Sequence, residues 1–497
     1  MKRLSVFARQ LIMGFLIIFH FSVSVAAMVA CWHLFYRHVG SSFSVRYNIL
    51  ILTGYGIALL FLDRIYSVYN IRFCKLSELV YSQSLAHLFC ATGLYGLDVV
   101  VFLRFTNPVP ILVTLAAQMI FDLLWTVVAR KVYFMIHHPR RTVLIYRNEN
   151  DKSRLVEASK FKKKFDVVAE IKDPTDDIDL LFREISLAEA EAVFVAGVNA
   201  TLRNAIAKFC IETDIIAYFV PHVGDVVMSG GEHMKAFATP IWRVRRAAPN
   251  VFYLAAKRLF DIFASLLGIL VLSPAMLVTA LAIKLYDRGP ILYKQVRLTK
   301  DGRKFYILKF RSMRVDAERD GVARLAAAND DRITPIGKFI RAVRFDELPQ
   351  LFNILRGEMT IVGPRPERPE IAEQYCEAIP AFALRLQVKA GLTGYAQVYG
   401  RYNTEPYEKL EYDLMYINKM SVFQDLSIML ATVKILFQRE STSGIAEGQT
   451  TAIENNLAEA KQNGDLAETP AETSAEVPAE TPADAADKEE EPAPVGK

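Results

Sequence analysis

The chain has 497 residues, of which 52% are hydrophobic and 23% charged, and its formal net charge is +5. That length exceeds one core and suggests about three units at about 150 residues each, while the apolar excess near the N-terminus excludes an ordinary soluble globule. Residues 451–497 hold 12 acidic and 3 lysine residues, so the part before them carries +14, a basic body suited to an anionic membrane surface or a phosphorylated ligand.

Four apolar stretches, 11–35, 47–62, 79–103 and 108–129, each approach the ~20 residues a bilayer requires. They predict a four-helix transmembrane bundle over 1–136. The first stretch runs into CWHLFYRH rather than a small-residue cleavage site, so it is expected to stay in the mature protein. Lys2, Arg3 and Arg9, then Arg64, Arg72 and Lys75, then Arg130, Lys131, Arg140 and Arg141 occupy alternate connections. By the positive-inside rule both termini and everything after the bundle are expected in the cytosol. Asp122 in the fourth stretch reads as a carboxylate turned toward other helices, with an intramembrane functional charge as the alternative.

From Thr142 the pattern turns to soluble α/β: TVLIY, FDVVAEI, AVFVAG and IAYFVP read as buried strands between helix-length charged segments. A small doubly wound domain is expected over 140–245. Its first strand leads into RNENDKS instead of GxGxxG, so side chains would obstruct a dinucleotide diphosphate. A regulatory or dimerisation module fits better, which makes a second copy of the chain a candidate partner. SGGEH, at 229–233, reads as a turn. Neither the five scattered cysteines nor the eight histidines form CxxC, HExxH or a Cys/His cluster, and no disulfide framework or zinc site is expected.

The apolar segment 259–285 is long enough for a fifth crossing, yet Lys257 and Arg258 precede it and Lys284, Arg288, Lys294 and Arg297 follow. Basic flanks on both sides demand a hairpin. Ser273-Pro274 breaks its middle, and each limb reaches only about 20 Å against a ~30 Å hydrocarbon core. The segment is therefore expected to be re-entrant. Lys257, Arg258 and Asp261 stand at its entrance, where they would meet a lipid phosphate or anchor the helix at the headgroups; both readings stay open.

RFDELPQLFNILRGEMTIVGPRPE, at 344–367, follows. Asp346 has a structural reading as a helix N-cap, with Pro349 in the first turn and Leu348, Leu351, Phe352 and Leu355 facing a core. Against this stand Lys309, Arg311, Arg341, Arg344 and Arg365, cations fit to neutralise phosphoryl oxygens. An acidic pair, Asp346 and Glu347, beside such groups suits magnesium-assisted phosphoryl transfer.

DELPQLFN, GEMTIVGPRPE and GLTGYAQVYGR, preceded by KRLFD, the Ser-Pro break and KFRSM, resemble the bacterial monotopic phosphoglycosyl transferases, or polyprenyl-phosphate hexose-1-phosphate transferases, over roughly 250–445. The preceding bundle and glycine-poor domain resemble the family's long form. The resemblance implies a monotopic α/β catalytic domain in a bacterial inner membrane, converting UDP-sugar and undecaprenyl phosphate to undecaprenyl-diphospho-sugar and UMP on the cytosolic face. It implies Asp346 as nucleophile carrying a covalent phospho-sugar and Glu347 helping with Mg2+ or the acceptor. It also implies Arg341 and Arg365 near phosphate, and Ser273-Pro274 as the re-entrant break. Capsule, exopolysaccharide or O-antigen assembly would begin here, usually with glucose or galactose phosphate, although no motif decides the sugar. Other glycan-assembly proteins are candidate partners. A non-catalytic membrane scaffold or sensor is the alternative, disfavoured by the intact Asp346-Glu347 and GPRP. The Ala, Glu and Pro-rich residues 446–497 are expected to form a disordered acidic tail.

Overall fold

A computed structural model describes residues 5–36, 45–72, 74–156, 161–174, 177–236, 238–314, 332–400 and 405–436; the expected acidic tail lies outside them. Four apolar helices open the chain: α1 (Val6–Cys31), α2 (Val45–Ile65), α3 (Leu76–Phe102) and α4 (Val109–Ile136). Capping begins two of them: Ser5 Oγ accepts from the Ala8 amide and Glu78 from the Lys75 amide, satisfying donors that no helical carbonyl reaches. Met28, Tyr55, Leu59, Ala86 and Leu94 pack inward, whereas Phe7, Leu11, Phe15 and Ile18 of α1 form an exposed apolar stripe. A stripe of that kind suits lipid rather than water.

The middle domain is a parallel sheet in the order β2-β1-β3-β4, built from β1 (Arg140–Tyr146), α5 (Glu149–Val156), α6 (Phe161–Lys164), β2 (Phe165–Lys172), α7 (Ile178–Leu187), β3 (Ala192–Ala196), α8 (Ala200–Glu212) and β4 (Ile216–Phe219). Val143, Leu144 and Ile145 are wholly buried because helices cover both faces of a parallel sheet. After β1, Asn148 caps α5, and Glu149 and Asp151 occupy its first turn. Acidic side chains thus hold the helix start that a diphosphate would need.

SGGEH closes α9 (Val223–Ser229) and runs into an exposed hairpin, β5 (Glu232–Ala236) and β6 (Thr239–Arg243), which alternation did not reveal because neither face enters a core. Asp225 of α9 takes both arms of Arg203 on α8, while Val226 is buried in the core of the next domain.

That domain starts with α10 (Val251–Asp287), then the antiparallel pair β7 (Leu292–Leu298) and β8 (Lys304–Phe310), and α11 (Pro335–Ala342). A 3-10 turn at Phe345–Glu347 precedes α12 (Gln350–Arg356) and β9 (Thr360–Val362). The remainder is α13 (Pro369–Ala378), the 3-10 segment Pro380–Gln387, β10 (Gly391–Thr393), α14 (Tyr395–Tyr399), α15 (Pro406–Asn418) and α16 (Val422–Leu436). Among the described residues five helices, α1 to α4 and α10, are long and apolar enough to cross a membrane.

α10 is the most naked of these, exposing Leu259, Phe263, Leu270, Leu277 and Leu285. Pro274 lies inside it, and Ser273 Oγ turns back to the Leu270 carbonyl at 2.8 Å. Both halves of α10 are fastened to the same domain. Asp261 accepts from Thr360 Oγ1 at 2.8 Å and the Ile361 amide at 3.0 Å, and Ile283 joins Phe310 and Ile340 in one apolar cluster. α16 meets the bundle through the edge-to-face rings of Phe61 and Phe423 and through Tyr66 Oη, which donates to the Leu430 carbonyl.

Candidate active site

The acidic pair sits on a turn rather than a helix. After α11 the chain passes through Arg344 in the left-handed region, φ +58°, and then tightens into the 3-10 turn that carries Asp346 and Glu347. A non-glycine residue there is strained by about 1–3 kcal/mol, a conformation that surrounding structure must enforce. Asp346 therefore caps no helix, correcting the structural reading: Pro349 stands at the start of α12, and the carboxylates precede it. The buried face of α12 also differs. Leu351, Asn353 and Ile354 are buried, whereas Phe352 is exposed.

Asn353, wholly buried, accepts from the Leu308 amide at 3.0 Å and donates to the Tyr306 carbonyl at 2.8 Å and to Glu358 at 2.6 Å. These bonds lock α12 to β8. They set Lys309 of β8 against the acidic turn.

Among the described residues three cations gather on Glu347 Oε1: Arg365 Nη2 at 2.8 Å, Lys309 Nζ at 3.4 Å and Arg344 Nη1 at 3.9 Å. Burial would raise the Glu347 carboxyl, but Arg365, Lys309 and Arg344 overcome it and hold the group well below the usual glutamate range. Asp346 goes the other way: burial and then the charge of Glu347 push its carboxyl up, against Lys309, Arg341 and Arg344. Burial pushes the Lys309 ammonium down. Two neighbouring carboxyls driven apart in this manner have distinct chemical roles open to them, one a fixed anion and the other a basic, attacking oxygen.

Arg365 is aimed by its backbone. Arg385 Nη2 donates to the Arg365 carbonyl at 2.8 Å and Arg297 Nη1 to the Pro366 carbonyl at 3.0 Å. Gly363 lets β9 and β10 close up, since a Cβ there would press on the Lys389 carbonyl and the Gly391 amide. Arg385 in turn donates from Nε to Asp413 at 2.8 Å, and Glu367 receives Lys409 at 2.8 Å and Arg385 at 3.4 Å. A cavity of about 320 Å³ opens beside this loop, lined in part by Thr299, Lys304, Phe382, Arg385, Glu367 and Arg365. Arg365 borders both the cavity and the acidic turn.

The structure thus brings Asp346, Glu347, Lys309, Arg341 and Arg365 together. Arg311 is buried where a Cβ on Gly289 would collide with its guanidinium. Lys257 pairs with Asp425 at 2.7 Å, and Arg258 donates to the Ile354 and Leu355 carbonyls at 2.7 and 2.8 Å, closing the C-terminus of α12. With Asp261 they rivet α10 to the domain. Asn353, Glu367, Arg385, Lys409 and Asp413 escaped sequence reading because most of their partners lie tens of residues away; a polar Asn between Leu351 and Ile354 was a local signal.

Glu367 makes stability depend on pH. Burial would raise its carboxyl, but Lys409, Arg385 and Arg297 prevail and hold it well below the usual glutamate range. A carboxyl lowered by folding contributes stability that is complete above its unfolded value of about 4.3 and is lost as pH falls through the folded value. The apparent melting temperature of the detergent-solubilised protein is expected to drop progressively below about pH 5. Glu367→Gln should make that acid limb shallower; an unchanged limb would acquit Glu367.

A membrane-associated α/β domain that presents an acidic pair to convergent cations defines a class suited to handling phosphate esters at a bilayer. The chain belongs to the bacterial sugar transferase family, whose domain matches residues 252–439. A UDP-glucose:undecaprenyl-phosphate glucose-1-phosphate transferase of Klebsiella pneumoniae is 44% identical over 242 residues, 47% of this chain and 51% of that protein. A protein of the same name from Caulobacter vibrioides is 41% identical over 198 residues, 39% of this chain and 74% of its own length. A UDP-N-acetylgalactosamine-undecaprenyl-phosphate N-acetylgalactosaminephosphotransferase of Aeromonas hydrophila is 40% identical over 191 residues, 38% of this chain and 45% of that protein. The chain spans about half the length of the Klebsiella and Aeromonas relatives. The resemblance carried by DELPQLFN and GEMTIVGPRPE is thereby borne out.

Proposed function

We propose that the protein transfers a sugar-1-phosphate from a UDP-sugar to undecaprenyl phosphate, releasing UMP, at the cytosolic face of a bacterial inner membrane, and so initiates a capsule, exopolysaccharide or O-antigen unit. The observation that carries this reading is the pair of adjacent carboxyls driven in opposite directions inside a cation cluster. An Asp346 oxygen attacks the β-phosphorus; the bond from that phosphorus to the bridging oxygen breaks, and UMP leaves with the oxygen. An undecaprenyl phosphate oxygen then attacks the same phosphorus, the aspartyl bond breaks, and Asp346 is regenerated. Arg365, Lys309 and Arg341 neutralise phosphoryl oxygens as charge shifts between them.

Asp346 and Glu347 fit Mg2+: they are hard oxygen donors, and a divalent charge would offset the burial and the Glu347 repulsion that raise Asp346. Bound there, Mg2+ would supply charge neutralisation to the diphosphate. A re-entrant α10 is supported by its fastening: Asp261 in one limb and Ile283 in the other pack on one domain, which a straight passage through a ~30 Å core would forbid. The limbs meet at Ser273-Pro274. Basic residues on alternate connections support the cytosolic orientation.

The names of the Klebsiella and Aeromonas relatives carry different sugars, so the donor is decided by assay. Full-length protein with Mg2+ and undecaprenyl phosphate, offered UDP-glucose, UDP-galactose and UDP-N-acetylgalactosamine, is expected to release UMP with at least one. No UMP from any donor, in folded protein, would favour the scaffold reading.

A further inference from the structure

Inside the apolar bundle, far from the acidic turn in sequence, four helices bring titratable groups together. His20 of α1, His87 of α3 and Asp122 of α4 are each at most 1% exposed. Asp122 Oδ1 stands 3.0 Å from His20 Nε2 and 3.3 Å from His87 Nε2, and one ligand atom from each residue falls within 4.8 Å of the other two. On the far side of His20, its Nδ1 lies 3.1 Å from Tyr69 Oη, which is 3.0 Å from Asp63 Oδ2 at the end of α2. Trp125 and Phe121 pack against the His20 ring and fix its plane.

The protons in this chain can be followed. Tyr69 Oη donates its one proton to Asp63 Oδ2, so toward His20 it is an acceptor and Nδ1 carries the hydrogen. His20 Nε2 is left to face Asp122 Oδ1. Asp122 Oδ2 and His87 Nδ1 are buried with no hydrogen-bond partner. The orphaned carboxylate oxygen is costly in an apolar medium, and it lies on the residue that both imidazoles face.

We propose that His20 Nε2, His87 Nε2 and Asp122 bind one divalent transition metal of the zinc class. Metal–nitrogen and metal–oxygen bonds of about 2.0 Å at tetrahedral angles place neighbouring ligand atoms roughly 3.3 Å apart, close to the observed separations. Two imidazoles and one Asp122 oxygen make a three-donor set, which leaves the fourth tetrahedral position to a water molecule that can donate to the orphaned Oδ2. Two imidazoles select a transition metal over magnesium or calcium. Tyr69 and Asp63 are the positioning residues behind His20: they hold the tautomer that frees Nε2. The ion would balance two buried carboxylates and tie α1, α3 and α4 directly, with α2 joined through Asp63.

The test uses untagged full-length protein in detergent. Elemental analysis after reconstitution with zinc is expected to find one ion per chain, and cobalt loading to produce the visible bands of four-coordinate Co2+. The double variant His20→Gln and His87→Gln should lose both signals, and Tyr69→Phe, which keeps every ligand, should weaken binding by roughly 10–100-fold. Zinc-edge X-ray absorption on the unaltered protein should show two imidazoles, a result independent of whether any variant folds. Absence of stoichiometric metal, a shell without imidazole, or full binding in the double variant overturns the proposal and leaves a cluster neutralised by protons.

Discussion

Asp346→Asn is expected to reduce UMP release by at least about 10³-fold, the scale on which loss of an attacking group is felt, without lowering the apparent melting temperature. The first half follows from chemistry: the amide keeps the shape of the carboxyl but lacks the anionic oxygen that would form the phosphorus bond. The second follows from electrostatics. Asp346 is disfavoured as an anion by burial and by Glu347 next door, while Glu347 holds Arg365 and Lys309 on its own account. Removing the Asp346 charge therefore leaves the cation cluster standing. Intact mass measurement without lipid acceptor should find a phospho-sugar adduct on the unaltered protein and none on the variant. Undiminished UMP release from Asp346→Asn would end its assignment as nucleophile; lost release together with early melting would make the defect structural.

Arg385→Met should have the largest effect on stability. The Arg385 side chain is 3% exposed and that of Asp413 1%, and Glu367 leans on the same guanidinium. Truncating one partner of a buried ion pair strands the others, at a cost of about 3–5 kcal/mol. For a domain of about 200 residues each kcal/mol moves the melting temperature by about 2–4 °C, so a drop of roughly 10 °C is expected. The same variant frees the Arg365 carbonyl, so residual activity should show weakened donor binding. Arg385→Met combined with Asp413→Leu removes both charges and should recover part of the loss. A single variant that melts with the unaltered protein would show that the network contributes little.

Much of the architecture was legible because it rests on periodicity. Lipid and a parallel sheet both demand runs of apolar residues, so α1 to α4 and the strands at 143–145 and 192–196 announce themselves locally. Asp346, Glu347, Lys309 and Arg365 were legible as residue types. Their arrangement was not: the left-handed Arg344 looks like any other arginine in the sequence, and Phe352 and Ile354 exchange the roles that a simple helical spacing assigns them. Asn353 defied its usual surface preference because three partners await it in the core, two of them on β8.

Residue order alone determined the apolar helices of membrane length, the α/β character of the middle domain, its loss of the glycine fingerprint and the presence of an acidic pair among cations, since each of these depends on neighbours within a turn or strand. Only the tertiary structure decided which cation meets which carboxylate, that Arg385 steadies the loop of Arg365, and that His20, His87 and Asp122 share one point inside the bundle. Those are contacts across tens of residues, where the free energy lies in burial and distance, and neither quantity is written in local spacing.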